Sequence, residues 1–354
     1  MRASLRRRLQ RRWPHLRRAL AWVFALVVIG LLVHWARAVH WGDVLSALRN
    51  YPMSTLAAAA GVALASHALY STYDLIGRHQ TGHPLQPGQV AGVAFVSYAF
   101  NLNLGSLVGA FAMRYRLYAR LGLSTALITQ VLGLSLVTNW LGYALVAGAA
   151  FALRPPELPA SWELGSAGLR ILGGVMVACA LAYVGICFAA RRRQWMIRRQ
   201  RLELPSGPVA LWQLGVSAGN WALIAGVMYL LLRQHVPYTA VLSTLLIAAI
   251  AGVITHVPAG LGVIEAVFVA LLSSRTSQAE LVAALLAYRA IYYIAPLAVA
   301  AAMLWRHEVR APAGAVRDSG RRSIAPSSYT HRARTVDHQK AREDERHVTS
   351  GGRT

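Results

Sequence analysis

Apolar residues run along this chain in blocks of about 20, separated by short segments dense in arginine, proline or glycine. A helical run of that length matches the hydrocarbon thickness of a bilayer. The pattern predicts full spans over about 20–36, 54–76, 124–152, 168–190, 208–232 and 280–305. Two further apolar regions, 89–124 and 239–274, are interrupted. The first carries Asn101, Asn103, Gly105 and Gly109 and ends in Arg114, Arg116 and Arg120; the second contains THVPAGLGVIEAVF (255–268), with a proline, two glycines and a glutamate. Between the first two spans, WGDVLSALRNYP (41–52) alternates Trp41, Val44, Leu45 and Leu48 with Asp43 and Arg49. That short amphipathic pattern suits an interfacial helix.

Composition agrees with the pattern. Of 354 residues 56% are hydrophobic and 14% charged, against roughly a quarter charged in soluble domains. The expected fold is an all-α polytopic membrane protein with about six full transmembrane helices and two interrupted or re-entrant helical regions. The net charge of +23 raises nucleic acid as a partner. The arginines, however, cluster in residues 1–18, in RRRQWMIRRQR (191–201) and in the tail, as the positive-inside rule expects, and no nucleic acid is expected. Placing all three clusters on the cytoplasmic side requires an even number of crossings. Six spans plus two regions that dip and return satisfy this, and so do eight spans. In the dipping arrangement 89–113 enters from the cytoplasm and 239–274 from outside, the relation of an inverted repeat. The domains are then a basic cytoplasmic arm (1–18), a membrane domain (19–306) and a disordered cytoplasmic tail (307–354). The first apolar run lacks a small-residue cleavage site and reads as an uncleaved span. Cys179 and Cys187, eight apart in one run, read as packing residues.

In hydrocarbon, backbone amides and carbonyls must pair internally, so a broken helix survives only within protein or a water-filled cavity. Pro258 removes a donor, and Gly260 and Gly262 free the chain to turn. If a helix restarts at Val263, Glu265 sits in its first turn, where an acid is favoured. A second reading pairs Glu265 with Arg289, which lies deep in the last span among Tyr288, Tyr292 and Tyr293. Arg289 and Tyr292, three apart, would share a helix face, and tyrosine hydroxyls could bond a phosphate or the guanidinium. Pro296 would kink this helix. Arg114, nearest the apolar part of its region, is the candidate for reaching a buried anion. Asn101 and Asn103 suit a bent backbone. Gly215 and Gly219 form a small-xxx-small pair for helix contact. Asn139 and Asn220 read as interhelical bonds, Asp74 as a surface pair with Arg78, and His67 and His256 as packing residues without metal-ligand spacing. Phosphate-binding Walker sequences, nucleophile elbows, HExxH and CxxC are absent, and the tail is too polar for a catalytic core. No catalytic residue, cofactor or metal is expected.

VPAGLGVIEAVF and AYRAIYYIAPL resemble the closing motifs of the lysylphosphatidylglycerol synthase transmembrane family, the flippase half of bacterial aminoacyl-phosphatidylglycerol proteins. YAFNLNLGSLVGAFAMRYRLYARLGLS resembles an earlier motif of that family. The likeness covers about 15–306, and its most specific part is P-x-G-x-G-x-x-E at Pro258, Gly260, Gly262 and Glu265 together with Arg289 and Pro296. It implies head-group cavities and translocation of an anionic or aminoacylated phospholipid across a bacterial inner membrane, with membrane phospholipids as partners. The synthetase reaction does not carry over, because the soluble transferase domain is not in this sequence. A non-transporting scaffold for a phospholipid-synthesising membrane enzyme is the alternative, and a membrane-embedded transferase on lipid carriers a third.

Overall fold

The computed structural model describes residues 42, 45–46, 49–156, 165–191, 193–197, 200–255 and 257–310. The basic arm, the expected first span, Trp41, Asp43, Val44, Ala47 and Leu48 of the amphipathic segment, His256 and the tail from 311 lie outside the described residues. The protein is an all-α polytopic membrane protein. Among the described residues, six helices are long and apolar enough to cross a bilayer: Met53–Thr81, Thr125–Leu153, Ser166–Ala189, Gly207–Leu231, Tyr238–Thr255 and Gln278–Arg306.

In chain order the elements are α1 (Met53–Thr81), α2 (Pro87–Leu104), a π-helical segment π1 (Leu107–Met113), α3 (Arg114–Arg120), α4 (Thr125–Leu153) and α5 (Ser166–Ala189). Two short strands, β1 (Gln194–Ile197) and β2 (Gln200–Glu203), follow. Then come α6 (Gly207–Leu231), α7 (Tyr238–Thr255), a 3-10 turn (Pro258–Gly260), α8 (Val263–Leu272), α9 (Gln278–Tyr288), a second π segment π2 (Arg289–Ile294) and α10 (Ala295–Arg310). The second basic loop is therefore an antiparallel ribbon, with Gln194 opposite Glu203 and Ile197 opposite Gln200. Helix starts follow local chemistry. Pro87 opens α2 beside a reciprocal Gln86–Gln89 cap, and Ser124 and Ser277 cap α4 and α9 through their hydroxyls.

Both interrupted regions double back. Gly105, at φ 83°, ends α2, and the returning backbone at Gly109 lies against Asn101, where a Cβ would overlap the Asn101 nitrogen. In the second region α8 lies back along α7. Its ten residues span only about 15 Å, too little to cross. The order helix–hairpin–helix thus occurs twice: α1, α2 to α3, α4, and then α6, α7 to α8, α9 to α10. Crossings α1, α4, α5 and α6 alternate in direction, so the second set starts from the side opposite the first. This is the element order of an inverted repeat.

The larger core surrounds the second hairpin, with Met228 and Leu231 of α6, Leu245 of α7, Phe268 and Leu272 of α8 and Leu285 of α9. A smaller one joins Val90 and Val93 of α2 to Tyr118, Ile128 and Val131. Ile171, Leu172, Val175, Leu181, Ile186 and Phe188 of α5 point outward, as lipid-facing residues do. Cys187 is buried while Cys179 is exposed, and neither forms a disulfide. The tight helix contacts are not at the small-xxx-small pair of α6. Gly215 has nothing within 4 Å of a Cβ position, and Gly219 meets only the Leu69 side chain at 3.3 Å. Helices α4 and α6 touch at Gly142, where a Cβ would overlap Ser217, and α4 and α5 touch at Gly148 and Gly173. Small residues are frequent in every span, so spacing alone does not select the pair that is used. The chain divides into a unit through Met303 and one from Leu304. In the latter the described residues continue α10 to Arg310, beyond the expected boundary at 306.

Candidate functional site

In the second hairpin the break is built from left-handed backbone at Ala259 (φ 56°), Gly260 (58°) and Gly262 (78°). Each oxygen of the Glu265 carboxylate has a separate task. Oε2 accepts the Gly262 amide at 2.9 Å, capping α8, and Oε1 accepts Arg289 Nε at 2.6 Å. The helix-cap reading and the ion-pair reading of Glu265 are the same carboxylate seen from two sides. Arg289 then reaches the break itself, donating from Nη1 to the Ala259 carbonyl (3.1 Å) and from Nη2 to the Gly260 carbonyl (3.3 Å). Carbonyls freed by breaking a helix need such donors inside a membrane. Ala259 is not glycine, so its left-handed conformation is strained; that conformation orients its carbonyl to Arg289. The pair is not sealed: side-chain exposure is 14% for Arg289 and 11% for Glu265.

Arg289 opens π2, and Pro296 lies just past its end. Without an amide hydrogen, Pro296 cannot bond the Tyr292 carbonyl in α-helical fashion, and the wider turn precedes it. This shift corrects the expected Arg289–Tyr292 face. Tyr293, not Tyr292, lies under the guanidinium, 5.5 Å from ring centre. Tyr292 is buried, with its hydroxyl 2.7 Å from Ser66 Oγ and 3.0 Å from the Tyr98 hydroxyl.

Asp74 needs a larger correction. It is fully buried and makes no surface pair with Arg78, which instead donates to the Leu85 carbonyl at 2.6 Å. Its partner is Arg114, with Nε to Oδ2 at 3.0 Å and Nη2 to Oδ1 at 3.1 Å. Tyr118 donates to Oδ2 at 2.8 Å, and Arg114 also reaches Ser135 Oγ and the Ala110 carbonyl. An i,i+4 neighbour can always be found on a helix; Asp74 faces inward, and only the returning limb of the first hairpin brings Arg114 to it. Arg114 is thus neutralised within the fold and stands apart from Glu265 and Arg289.

Aromatic and hydroxyl groups connect the two ion pairs. Tyr70 lies 5.9 Å from the Arg114 guanidinium and stacks on Tyr98 at 3.6 Å. Tyr98 meets Tyr292, Tyr292 meets Ser66, and Ser66 donates to Asn220 Oδ1 at 2.7 Å. Asn103 ties α2 to π2, donating to the Tyr293 carbonyl at 3.0 Å and to its own Ala99 carbonyl at 2.8 Å. Asn101 contributes its carbonyl, which accepts the Gly105 amide at 2.9 Å. Asn220 is an interhelical bond, whereas at Asn139 it is the main-chain carbonyl that accepts Ser217 and Trp221. His67 packs among Phe95, Tyr98 and Tyr292.

A family model described as the lysylphosphatidylglycerol synthase transmembrane region matches residues 22–300. The chain belongs to that family. Inner membrane protein YbhN of Escherichia coli is 45% identical over 290 residues, covering 82% of this chain and 91% of that protein. An uncharacterized protein of Synechocystis sp., slr0712, is 32% identical over 272 residues, covering 76% of this chain and 84% of its own length.

In this member of the lysylphosphatidylglycerol synthase transmembrane family, the sequence reading overlooked Asp74, Tyr70, Tyr98 and Ser66 as parts of the site. A signal was present. SHALYSTYD (66–74) places Ser66, Tyr70, Tyr73 and Asp74 on one stripe of an otherwise apolar span, and a polar stripe inside a membrane helix marks an interior face. Among the described residues, no group of three or more His, Cys, Asp or Glu could hold a metal ion.

Proposed function

We propose that the protein moves an anionic or aminoacylated phospholipid across a bacterial inner membrane, without a covalent reaction. The observation that carries this reading is Arg289. It is partly exposed and neutralised by Glu265, and it holds the broken loop of the second hairpin through two hydrogen bonds to carbonyls. A lipid phosphate presents oxygens suited to the same fork of donors. A phosphate on Nη1 and Nη2 replaces the Ala259 and Gly260 carbonyls and frees the loop, while Glu265 stays on Nε or takes the ammonium of an aminoacyl head group. Departure of the lipid lets the carbonyls return. Arg114 and Tyr292 are assigned to bracing rather than to the lipid, because Asp74 and the Ser66–Tyr98 bonds already occupy them. The basic segments face the cytoplasm, so both termini do. The inner-membrane designation of the relative YbhN supports the location.

The alternative, a scaffold for a phospholipid-synthesising membrane enzyme, is favoured by one observation: both ion pairs are complete without a ligand. Reconstitution with labelled phosphatidylglycerol, cardiolipin and an aminoacylated lipid separates the two. Transport requires faster leaflet exchange with protein than without, abolished by Arg289→Ala. Equal exchange with and without protein across these lipids would sink the transport reading. In cells, loss of function by a folded Glu265→Gln variant that keeps its partners would count against the scaffold.

A further inference from the structure

Packing explains where the His67 ring sits but not its outer nitrogen. The residue is 2% exposed, and Nε2 has no hydrogen-bond partner. Nδ1 lies 3.0 Å from the Ala63 carbonyl. A carbonyl only accepts, so the ring hydrogen is on Nδ1 and Nε2 carries a lone pair. Three aromatic rings surround it, Tyr292 at 4.8 Å, Tyr98 at 5.2 Å and Phe95 at 5.8 Å between centroids. Such a cage attracts a cation. Asn220 Nδ2, on α6, is another buried group without a partner.

Hydrogen counting along the neighbouring chain gives it a direction. Asn220 Oδ1 only accepts, so the Ser66 hydrogen goes there. The Tyr292 hydrogen then goes to Ser66, and the Tyr98 hydrogen to Tyr292. The Tyr98 oxygen is left with its lone pairs, on a ring whose centre lies 5.2 Å from that of His67. The titratable groups facing the imidazole are Tyr98 from α2 and Tyr292 from π2, with Tyr70 one turn on along α1; α6 brings Asn220, which does not titrate. Of the nearby charges, Asp74 further along α1 is neutralised by Arg114, and Arg289 at the start of π2 by Glu265.

We propose that His67 Nε2 is a proton-binding site and that a proton entering there drives the transport cycle, which rests on the lipid-transport reading above. One O–H bond of a hydronium breaks, one N–H bond forms at Nε2, water remains, and the neutral imidazole becomes an imidazolium with one positive charge. The two tyrosines sealing the ring belong to different halves of the repeat, Tyr98 to the first hairpin and Tyr292 to the helix after the second. The proton exchanges only when they part. Once bound, it donates toward the Tyr98 oxygen and holds α2 against α1, so proton occupancy biases which half opens.

The first test does not depend on lipid movement. Full-length protein with nitrogen-labelled histidine is placed in phosphatidylglycerol–phosphatidylethanolamine nanodiscs, and its ring nitrogens are followed by NMR from about pH 8 to about pH 5, the range in which histidines titrate. The His67 signal is assigned by its absence from His67→Gln. Its Nε2 is expected to pass from lone-pair to N–H shifts, with the midpoint moved by Tyr98→Phe. Tyr98→Phe also identifies the signal if His67→Gln does not fold. An Nε2 that keeps its lone pair throughout overturns the proposal. In the second test, proteoliposomes with labelled phosphatidylglycerol are compared with and without a pH gradient. A several-fold gradient stimulation of the wild type, absent from His67→Gln, is expected; equal stimulation of both overturns the coupling. No lipid movement in any condition, with His67 titrating, defeats the lipid reading and leaves the proton site standing.

Discussion

Replacing Arg114 by methionine removes the partner of a carboxylate with no exposure to solvent. Asp74 then keeps only the Tyr118 hydroxyl among the bonds described above. Breaking a buried pair from one side costs about 3–5 kcal/mol, whereas replacing both partners by apolar residues is often neutral. The expected loss is a factor of roughly 10² to 4 × 10³ in the folded-to-unfolded ratio. It lowers the melting temperature by on the order of 10 °C. Thermal unfolding of detergent-purified protein, followed by fluorescence-monitored gel filtration, measures it. The cycle uses Arg114→Met, Asp74→Leu and the double variant. Each single change should be strongly destabilising and the double change much less so than their sum, with a coupling of about 2 kcal/mol or more. Additive singles, or an Arg114→Met protein as stable as wild type, would refute the assignment of this pair as the brace of the first hairpin.

Gly109→Ala drives a methyl into the Asn101 backbone and should abolish monodisperse protein. Gly133→Ala, with open space around it, should be neutral or stabilising by up to about 1 kcal/mol. Arg289→Lys keeps the charge but cannot bond Glu265 and two carbonyls through a planar fork. Lipid exchange should fall at least about tenfold, the equivalent of 1.4 kcal/mol, and a wild-type rate would mean that the fork is not used. His83, between α1 and α2, is buried with both ring nitrogens unpartnered. Burial, and then Arg78, hold its pKa below the usual histidine value, with Asp74 opposing. The neutral form is favoured by the fold, so its contribution is present above about pH 6.5 and is lost as pH falls below it. Melting curves of His83→Gln should be flatter than wild type across that window, and parallel curves would contradict the assignment.

The spans were legible because bilayer thickness imposes a length on apolar runs, and Pro258, Gly260 and Gly262 were legible because no lipid-exposed helix tolerates them together. Glu265 and Arg289 stood out for the same reason, as charges within apolar sequence. The doubling back of 89–124 was open on sequence grounds, since 18 residues of α2 could equally cross; the contact of Gly109 with Asn101 decides it. Asp74 was misread because a local partner, Arg78, was available, and sequence spacing gives no weight to which face a helix buries. Tyr292 was placed by α-helical spacing, which fails inside a π turn. The strained Ala259 had no signal at all: alanine rarely adopts that backbone, and only the carbonyl bound by Arg289 accounts for it.

The most direct measurement is leaflet exchange of labelled phosphatidylglycerol in proteoliposomes, read by quenching with a membrane-impermeant reductant. With wild-type protein, label that began in the inner leaflet should become accessible. With Arg289→Ala, and in protein-free vesicles, only the outer-leaflet share should be quenched. Identical quenching with and without the protein, repeated for cardiolipin and an aminoacylated lipid, would contradict the account.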